Sequence, residues 1–358
     1  MKDTQFLVNK NDLRDYRVDS NELVDGSALA PDQVLLAVDQ FALTANNITY
    51  AVAGDTMGYW QFFPGPEGWG RIPVWGYATV VASNHPDIKS GERVYGYLPM
   101  GTHLTIDAGR VTQSQLIDAA PHRSALPAVY NQFLRVASEK NADQEALQML
   151  YRPLFMTSWL LDDFLAHNEF FGAEQVILTS ASSKTSIGLA FMLAARGDRP
   201  VIGLTSPGNT RFVESLGCYD QVVSYDDING LDATKNTVSV DMAGNGATLA
   251  DLHNHFGDAL QYSCLVGATH WDARAGARAM AGPKPELFFA PNHIKSRNAD
   301  WGPGGLEERF DASWQSFINN VGDWIAVQHV QGAEATAEVY LAQLAGTAKP
   351  DVGYIVSL

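Results

Sequence analysis

Cysteine is scarce in this chain. Cys218 and Cys264 are the only two in 358 residues, too few for a disulfide framework or a four-thiolate zinc site. Both fall in apolar surroundings and are expected to be inert core thiols. Basic charge is also short. Lys and Arg number 24 against 40 Asp and Glu, a formal net charge of −16. So acidic a surface suits neither nucleic acid nor an anionic membrane, and neither is expected as a partner. A bound dinucleotide stays compatible, because it needs only a local positive patch. No apolar run reaches the ~20 residues of a membrane-spanning helix. The opening MKDTQFLVNKNDLRDYRV holds no apolar leader segment, so a cytoplasmic protein is expected. With 46% hydrophobic and 18% charged residues the composition is that of a soluble globular protein, and the length suggests two domains.

Glycine is missing from the place where it would be most informative. Residues 174–190, EQVILTSASSKTSIGLA, read as a buried strand running through a small-residue turn into a helix. Such a unit presents helix-start N–H groups to a pyrophosphate. The usual G-x-G-x-x-G is reduced here to Gly188, with Ser182, Ser183, Thr185 and Ser186 at small positions and Lys184 among them. Hydroxyls donate to phosphate oxygens, and a lysine adds charge. An acid is missing too. The next strand, PVIGLTS, ends at Thr205–Ser206 and continues Pro-Gly-Asn209-Thr-Arg211. No carboxylate is present to hold a free ribose 2′-hydroxyl, whereas Ser206, Asn209 and Arg211 suit a 2′-phosphate. NADP is therefore the expected cofactor. The competing reading is a doubly wound domain that kept its shape and lost its nucleotide.

Residues 1–100 are β-rich, with alternation in QVLLAVDQFALT (33–44), then YATVVAS (77–83) and HPDIKSGERVYGYLP (85–99), which suggests a small barrel. Helical spacing is expected from about residue 123, over SALPAVYNQFLRVA and ADQEALQMLYRPLFMTSWLLDDFLAHNEF, with Pro153 breaking or kinking the second stretch. Strands at 174–181, 200–206, 221–225, 236–244, 260–268 and 285–290 alternate with helices at 185–196, 209–217 and 247–257. That alternation argues for a parallel sheet covered on both faces. A loop, PNHIKSRNADWGPGGLEERF, two helices and the strand VGYIVSL are expected to complete the chain.

In this order the segments resemble the medium-chain dehydrogenase/reductase superfamily, and specifically its zinc-free quinone oxidoreductase-like branch. The likeness rests on IPVWGYATVVAS, on IKSGERVYGYLPMGTHLTI (similar to a Gly-Asp-Arg-Val-x-Gly segment, with Glu92 for Asp), on RPLFMTSWLLDDFL, on the turn at 174–195, on LVGA at 265–268 and on GYIVSL. It spans residues 30–358. Within the branch the chain looks closest to a family for which the resemblance fixes a fold better than a substrate. The resemblance implies an α/β fold: a β-rich GroES-like barrel domain at 1–140, completed by 320–358, and a doubly wound Rossmann domain with a parallel sheet at 141–319. It also implies a homodimer.

Metal-dependent members of the superfamily carry early Cys and His ligands that this chain lacks. His85, His103 and His122 have no thiolate or spaced carboxylate partners, so no metal site is expected. His253 and His255, two apart on a helix, point to different faces and are expected at the surface. A reductase without a Lewis acid must steady developing charge by hydrogen bonds. Zinc-free relatives are similar in carrying an Asn and a Tyr after the first barrel strand; in LTANNITYAVAGD these correspond to Asn46 or Asn47 and Tyr50. Gly267, Ala268 and Phe289 would line the nicotinamide. Tyr59, Trp60, Phe62, Phe63, Trp69 and Trp75 are either buried anchors of a long loop or a wall for a flat substrate. Lys295, Arg297 and Trp301 are either a second wall, binding an acidic substrate group or the cofactor phosphates, or a solvated loop. The resulting expectation is an NADPH-dependent oxidoreductase acting on a small molecule, a quinone or enone. The alternatives are a catalytically silent NADPH-binding or scaffold protein, and a hydrolase using the SSKTS turn, which has no His nearby in sequence.

Overall fold

Apolar residues in the first twenty positions pair rather than trail. In the computed structural model, which describes residues 2–22, 26–137, 141–267 and 280–358, β1 (Lys2–Asn9) and β2 (Asp12–Glu22) form an antiparallel hairpin. β3 (Gln33–Leu43) leads into α1 (Ala45–Val52), and the two-residue β4 (Trp69–Gly70) pairs with β1. There follow β5 (Pro73–Ser83), β6 (Arg93–Pro99), β7 (His103–Val111), β8 (Gln115–Asp118) and β9 (Gln132–Val136). In the sheet these run β3-β5-β6-β9-β8-β7, and β7 pairs back onto β3, so six strands close into a barrel. Closure needs tight corners. Gly76 and Gly96 face each other across β5 and β6. A Cβ at Gly76 would stand 2.4 Å from the Gln40 carbonyl, and one at Gly96 2.5 Å from the Phe133 ring.

α2 (Ala142–His167) divides the chain: one compact unit comprises Met1–Leu150, Val327–Ala348 and Val352–Leu358, the other Tyr151–Ala326 and Lys349–Asp351. The second unit contains β10 (Gln175–Leu178), α3 (Lys184–Arg196), β11 (Val201–Thr205), α4 (Thr210–Ser215), β12 (Gln221–Ser224), β13 (Thr237–Asp241), α5 (Gly246–Phe256), β14 (Leu260–Leu265), β15 (Glu286–Leu287), α6 (Ala290–Trp301) and α7 (Gly305–Val321). β16 (Ala326–Gln331), α8 (Ala333–Leu344) and β17 (Val352–Ser357) follow, and β16-β17 extends the barrel sheet from β3. The other sheet is parallel throughout, in the order β12-β11-β10-β13-β14-β15. Alternate residues of β10 serve opposite faces: Val176 and Leu178 join a core with Leu161 and Ile187, while Ile177 joins Leu252 and Phe256. The α/β class, the GroES-like barrel and the Rossmann sheet are thus all present.

Several local expectations are corrected. Residues 128–136 form a 3-10 turn and β9 rather than a helix, because Phe133 and Leu134 pair with both β6 and β8; barrel closure outweighs helical spacing. Pro153 does not break α2. Burial of Leu150, Tyr151, Leu154 and Phe155 on either side of it offsets the roughly 3 kcal/mol an internal proline costs. PELFFA keeps only Glu286–Leu287 as strand, and the Pro/Gly-rich segment after it is α6 and α7, with Pro291 in the first turn of α6 where its missing N–H is harmless. His253 is fully buried. The two-residue spacing does separate the histidines, but both faces of α5 are covered: His253 bonds Ser263 and the Ala281 carbonyl, and His255 bonds the Leu231 carbonyl.

The start of α2 is fastened to the barrel by charge. Arg93 on β6 is held bidentately by Glu145, at 2.7 and 2.9 Å, and also meets Asp39. Glu145 is nearly as buried as Arg93, so removing it leaves the buried guanidinium to the longer Asp39 contact, at 3.4 Å. Glu145→Ala is expected to cost about 3–5 kcal/mol, read from the barrel unit's urea transition, and Glu145→Gln much less.

Candidate functional site

The strand order of the parallel sheet reverses between β10 and β13, and at such a point a crevice opens beyond the carboxyl ends of the strands. The turn from β10 into α3 occupies it. Thr179 donates its hydroxyl to Asp241 at the end of β13 (2.5 Å), and the same carboxylate accepts the Ala243 and Gly244 N–H groups. Ser180 then takes φ 48°, the left-handed conformation that a glycine would adopt without strain. Its N–H donates to the Tyr225 hydroxyl, while the Tyr219 hydroxyl donates to the Ala181 carbonyl, both at 2.8 Å. Tyr219 reaches that carbonyl across Gly203, where a Cβ would come 2.8 Å from its ring.

Ser183 is the N-cap of α3, its side chain accepting from the Ser186 N–H. The buried Ser186 hydroxyl donates to the Thr179 carbonyl and is spent on the turn itself. Gly188 lies inside α3, where a Cβ would stand 2.7 Å from Ser158 Oγ, and Ser158 donates to the Thr185 carbonyl. Gly188 therefore serves close packing of α3 on α2. Asn209 donates to Ser182 Oγ at 3.1 Å, which joins the end of β11 to the turn. Thr205 is buried at that end, Ser206 is half-buried, and Arg211 is exposed in the first turn of α4 with no ion pair among the described residues. Lys184 is the first residue of α3. Burial pushes its ammonium down to about 8 against the pull of Asp351, and the helix start disfavours a cation further.

Gly267 follows β14, with its Cα so close to Met242 that a Cβ would lie 1.9 Å from the carbonyl. Phe289 is the N-cap of α6. Ala268 lies outside the described residues. Arg297 is not available to a ligand phosphate: it is buried, bound to Asp163 and to Asp300, and stacked over Trp301. Burial would raise the Asp163 carboxyl, but hydrogen bonds from His293 and Arg297 outweigh it and hold that group low. Lys295 is exposed on the same helix.

In the barrel unit, Asn47 and Tyr50 part company. The Asn47 side chain accepts from the Thr44 N–H and donates to the Pro73 carbonyl, which caps α1. Tyr50, one turn on, enters a cluster with Tyr59, Phe62, Phe63, Tyr97 and Tyr130, and Trp75 donates to its hydroxyl at 3.3 Å. Burial raises its ionisation, opposed by hydrogen bonding from Trp75 and Asn46. Tyr59, Trp60, Phe62 and Phe63 are buried, while Trp69 and Trp75 are half-buried. Among the described residues no group of three or more His, Cys, Asp and Glu side chains is placed to hold a metal ion.

A family model described as a protein of unknown function, DUF2855, matches residues 41–349. The chain belongs to that family. No curated protein matches it in sequence. Among solved structures, CurA from Vibrio vulnificus in complex with NADPH superposes with a TM-score of 0.66 at 12% identity, over 99% of this chain and 98% of that one. A mutant enoyl thioester reductase from Candida tropicalis gives 0.58 at 11% over the whole of both chains. The yhdH oxidoreductase from Salmonella enterica in complex with NADP gives 0.53 at 13% over 99% of each. At these identities the likeness is one of fold alone.

At the crevice Tyr219 and Tyr225 escaped the sequence reading, while Ser180 and Asp241 were legible as strand-end residues but not in the left-handed conformation and the bonds they adopt. The conformation of Ser180 gives no signal, since a serine in a turn has no fixed φ. The tyrosines flank β12, two strands over from β10, a neighbourhood that sequence spacing cannot supply. Two measurements check the geometry. Ser180→Gly relieves a left-handed serine and is expected to stabilise by about 1 kcal/mol, whereas Ser180→Val destabilises. Unfolded Lys184 ionises near 10.5 and the folded residue near 8, so between those values the unfolded chain holds the extra proton and stability rises with pH. Lys184→Met is expected to remove that part of the rise, seen by comparing urea midpoints at either end of the interval.

Proposed function

We propose that the chain is a zinc-independent, NADPH-dependent oxidoreductase that reduces a conjugated carbonyl compound, a quinone or an enone. The observation that carries this reading is the carboxyl end of the parallel sheet, where α3 starts from a turn of hydroxyls and β11 ends without an acid. The complexes of CurA with NADPH and of yhdH with NADP support it. Ser182, Ser183, Lys184 and Thr185, at the start of α3, suit a pyrophosphate. Ser186 and Gly188 shape the helix start. Thr205, Ser206, Asn209 and Arg211 suit the 2′-phosphate, Arg211 being exposed and in no ion pair among the described residues. Gly267, Ala268 and Phe289 are assigned to the nicotinamide end.

NADPH would supply the hydride. The protein's own part is to polarise the acceptor and deliver a proton, and this is assigned to the Tyr50 hydroxyl steadied by Asn46. Asn47 has its amide committed to α1 and Pro73, which makes it a support for that pair. The barrel domain holds the substrate, the Rossmann domain the cofactor, and the assembly is assigned as a cytoplasmic homodimer.

NADPH is expected to raise the melting temperature by mass action and NADH to do so far less. Arg211→Ala should weaken NADPH binding by about 10–100-fold, the loss of one charge-assisted contact, with NADH binding within about twofold. In an assay of NADPH oxidation against quinones and enones, Tyr50→Phe should lower kcat by about 10²-fold or more. Failure of both nucleotides to bind would favour the silent scaffold, in which Tyr225 has permanently taken the Ser180 N–H.

A further inference from the structure

Eight buried side-chain N and O atoms among the described residues have no hydrogen-bond partner, and four belong to Tyr97, Arg123 and Asn131 in one corner of the barrel unit. That concentration is what needs a cause, since a buried polar atom without a partner has lost its hydration and gained no bond in return. Tyr97 on β6 is fully buried and Arg123 is 1% exposed. Arg123 Nε stands 3.0 Å from Asp118 Oδ2, but without the alignment of a hydrogen bond, and Nη1 has no acceptor. The guanidinium lies over Phe63 at 4.6 Å and Phe62 at 5.8 Å, and Tyr97 packs edge-on against Phe62 at 5.3 Å. On its other side Tyr97 meets Tyr50, ring centres 5.5 Å apart and planes at 88°. The two hydroxyls approach each other, yet that of Tyr97 completes no bond.

An unpartnered phenol between a second phenol and a buried guanidinium is poised for a charge that is not there in the resting protein. We propose that Tyr97 is a positioning residue for Tyr50, donating to its oxygen once Tyr50 has given up its proton, with Arg123 supplying positive charge behind Tyr97. The proposal rests on the reading of Tyr50 as the proton donor. In the step it serves, the Tyr50 O–H bond breaks, the proton passes to the reduced acceptor, and the electron pair stays on the phenolate oxygen. Tyr97 keeps its own proton and shares it as a hydrogen bond, and a proton from solvent restores Tyr50. The groups facing Tyr50 are Asn46, Tyr59, Trp75, Tyr97 and Tyr130. Behind them stand Arg123 and its partner Asp118. Of all these, Arg123 alone carries positive charge.

Replacement of Tyr50 by a difluorotyrosine, whose phenol ionises near neutrality, lets its titration be followed by fluorine NMR in the whole chain without nucleotide or acceptor. Tyr97→Phe is expected to shift that titration upward by about one pH unit, the loss of one hydrogen bond to an ionised oxygen. The same substitution should not destabilise the fold, because it removes a buried hydroxyl that bonds to nothing. Arg123→Met paired with Asp118→Asn, which leaves no stranded charge, should shift the titration the same way. Titrations unchanged in both variants would overturn the proposal and leave Tyr97 a packing residue. A shift without any NADPH oxidation would confirm the hydrogen bond while removing the reductase task from Tyr50, so the two failures are distinguishable.

Discussion

The Thr179 hydroxyl and the Asp241 carboxylate meet where the parallel sheet changes direction, and the crevice takes its shape from that bond. A gap between β10 and β13 is inherent in the strand order. What fills it is not. Asp241 is buried and accepts the Thr179 hydroxyl together with the Ala243 and Gly244 N–H groups, so one carboxylate fixes the exits of both strands. With those exits fixed, the Thr179 carbonyl is placed to accept from Ser186, and the first turn of α3 is pinned to the sheet.

A turn built this way can do without the glycines that usually make it. Glycine contributes φ freedom and close approach. Here the φ requirement falls on Ser180, at a cost of roughly 1–2 kcal/mol, and the tyrosine hydroxyls of Tyr219 and Tyr225 hold the strained segment from either side. Close approach is moved elsewhere: Gly188 admits Ser158 beneath α3, and Gly203 admits the Tyr219 ring. The glycines have changed position rather than vanished. The result is a turn held by side-chain hydrogen bonds, with hydroxyls in place of glycines.

This relocation explains how far the chain could be read without a structure. The alternation of strand and helix from 174 to 265 was legible because β10 and β11 are short, largely apolar runs, and α3 and α5 start on the caps Ser183 and Asn245. The barrel was legible only as a class. β9 was hidden because Phe133 is buried by two neighbouring strands, which no local period reports. Arg297 looked like a ligand for phosphate because its acids, Asp163 and Asp300, lie on a distant helix and one turn along its own. At the candidate site the residue types were readable and their partners were not. Asn46 and Asn47 are adjacent and alike in sequence, but only Asn47 sits where Thr44 and Pro73 consume its amide.

The barrel unit solves its own burial problem with charge kept in pairs and phenols kept in contact. Arg93 is matched by Glu145 and Asp39, with full hydrogen bonding. Arg123 is matched by Asp118 in charge but not in hydrogen bonds. The contrast is informative because both guanidiniums are almost completely withdrawn from solvent. A structural ion pair minimises its free energy by completing every bond it can, and Arg93 does so. Arg123 leaves donors open near a phenol that is itself open and that packs against Tyr50. Burial strengthens any electrostatic interaction those donors make, just as it raises the cost of leaving them idle. A fold that tolerates the second condition next to Tyr50 is arranged to use the first.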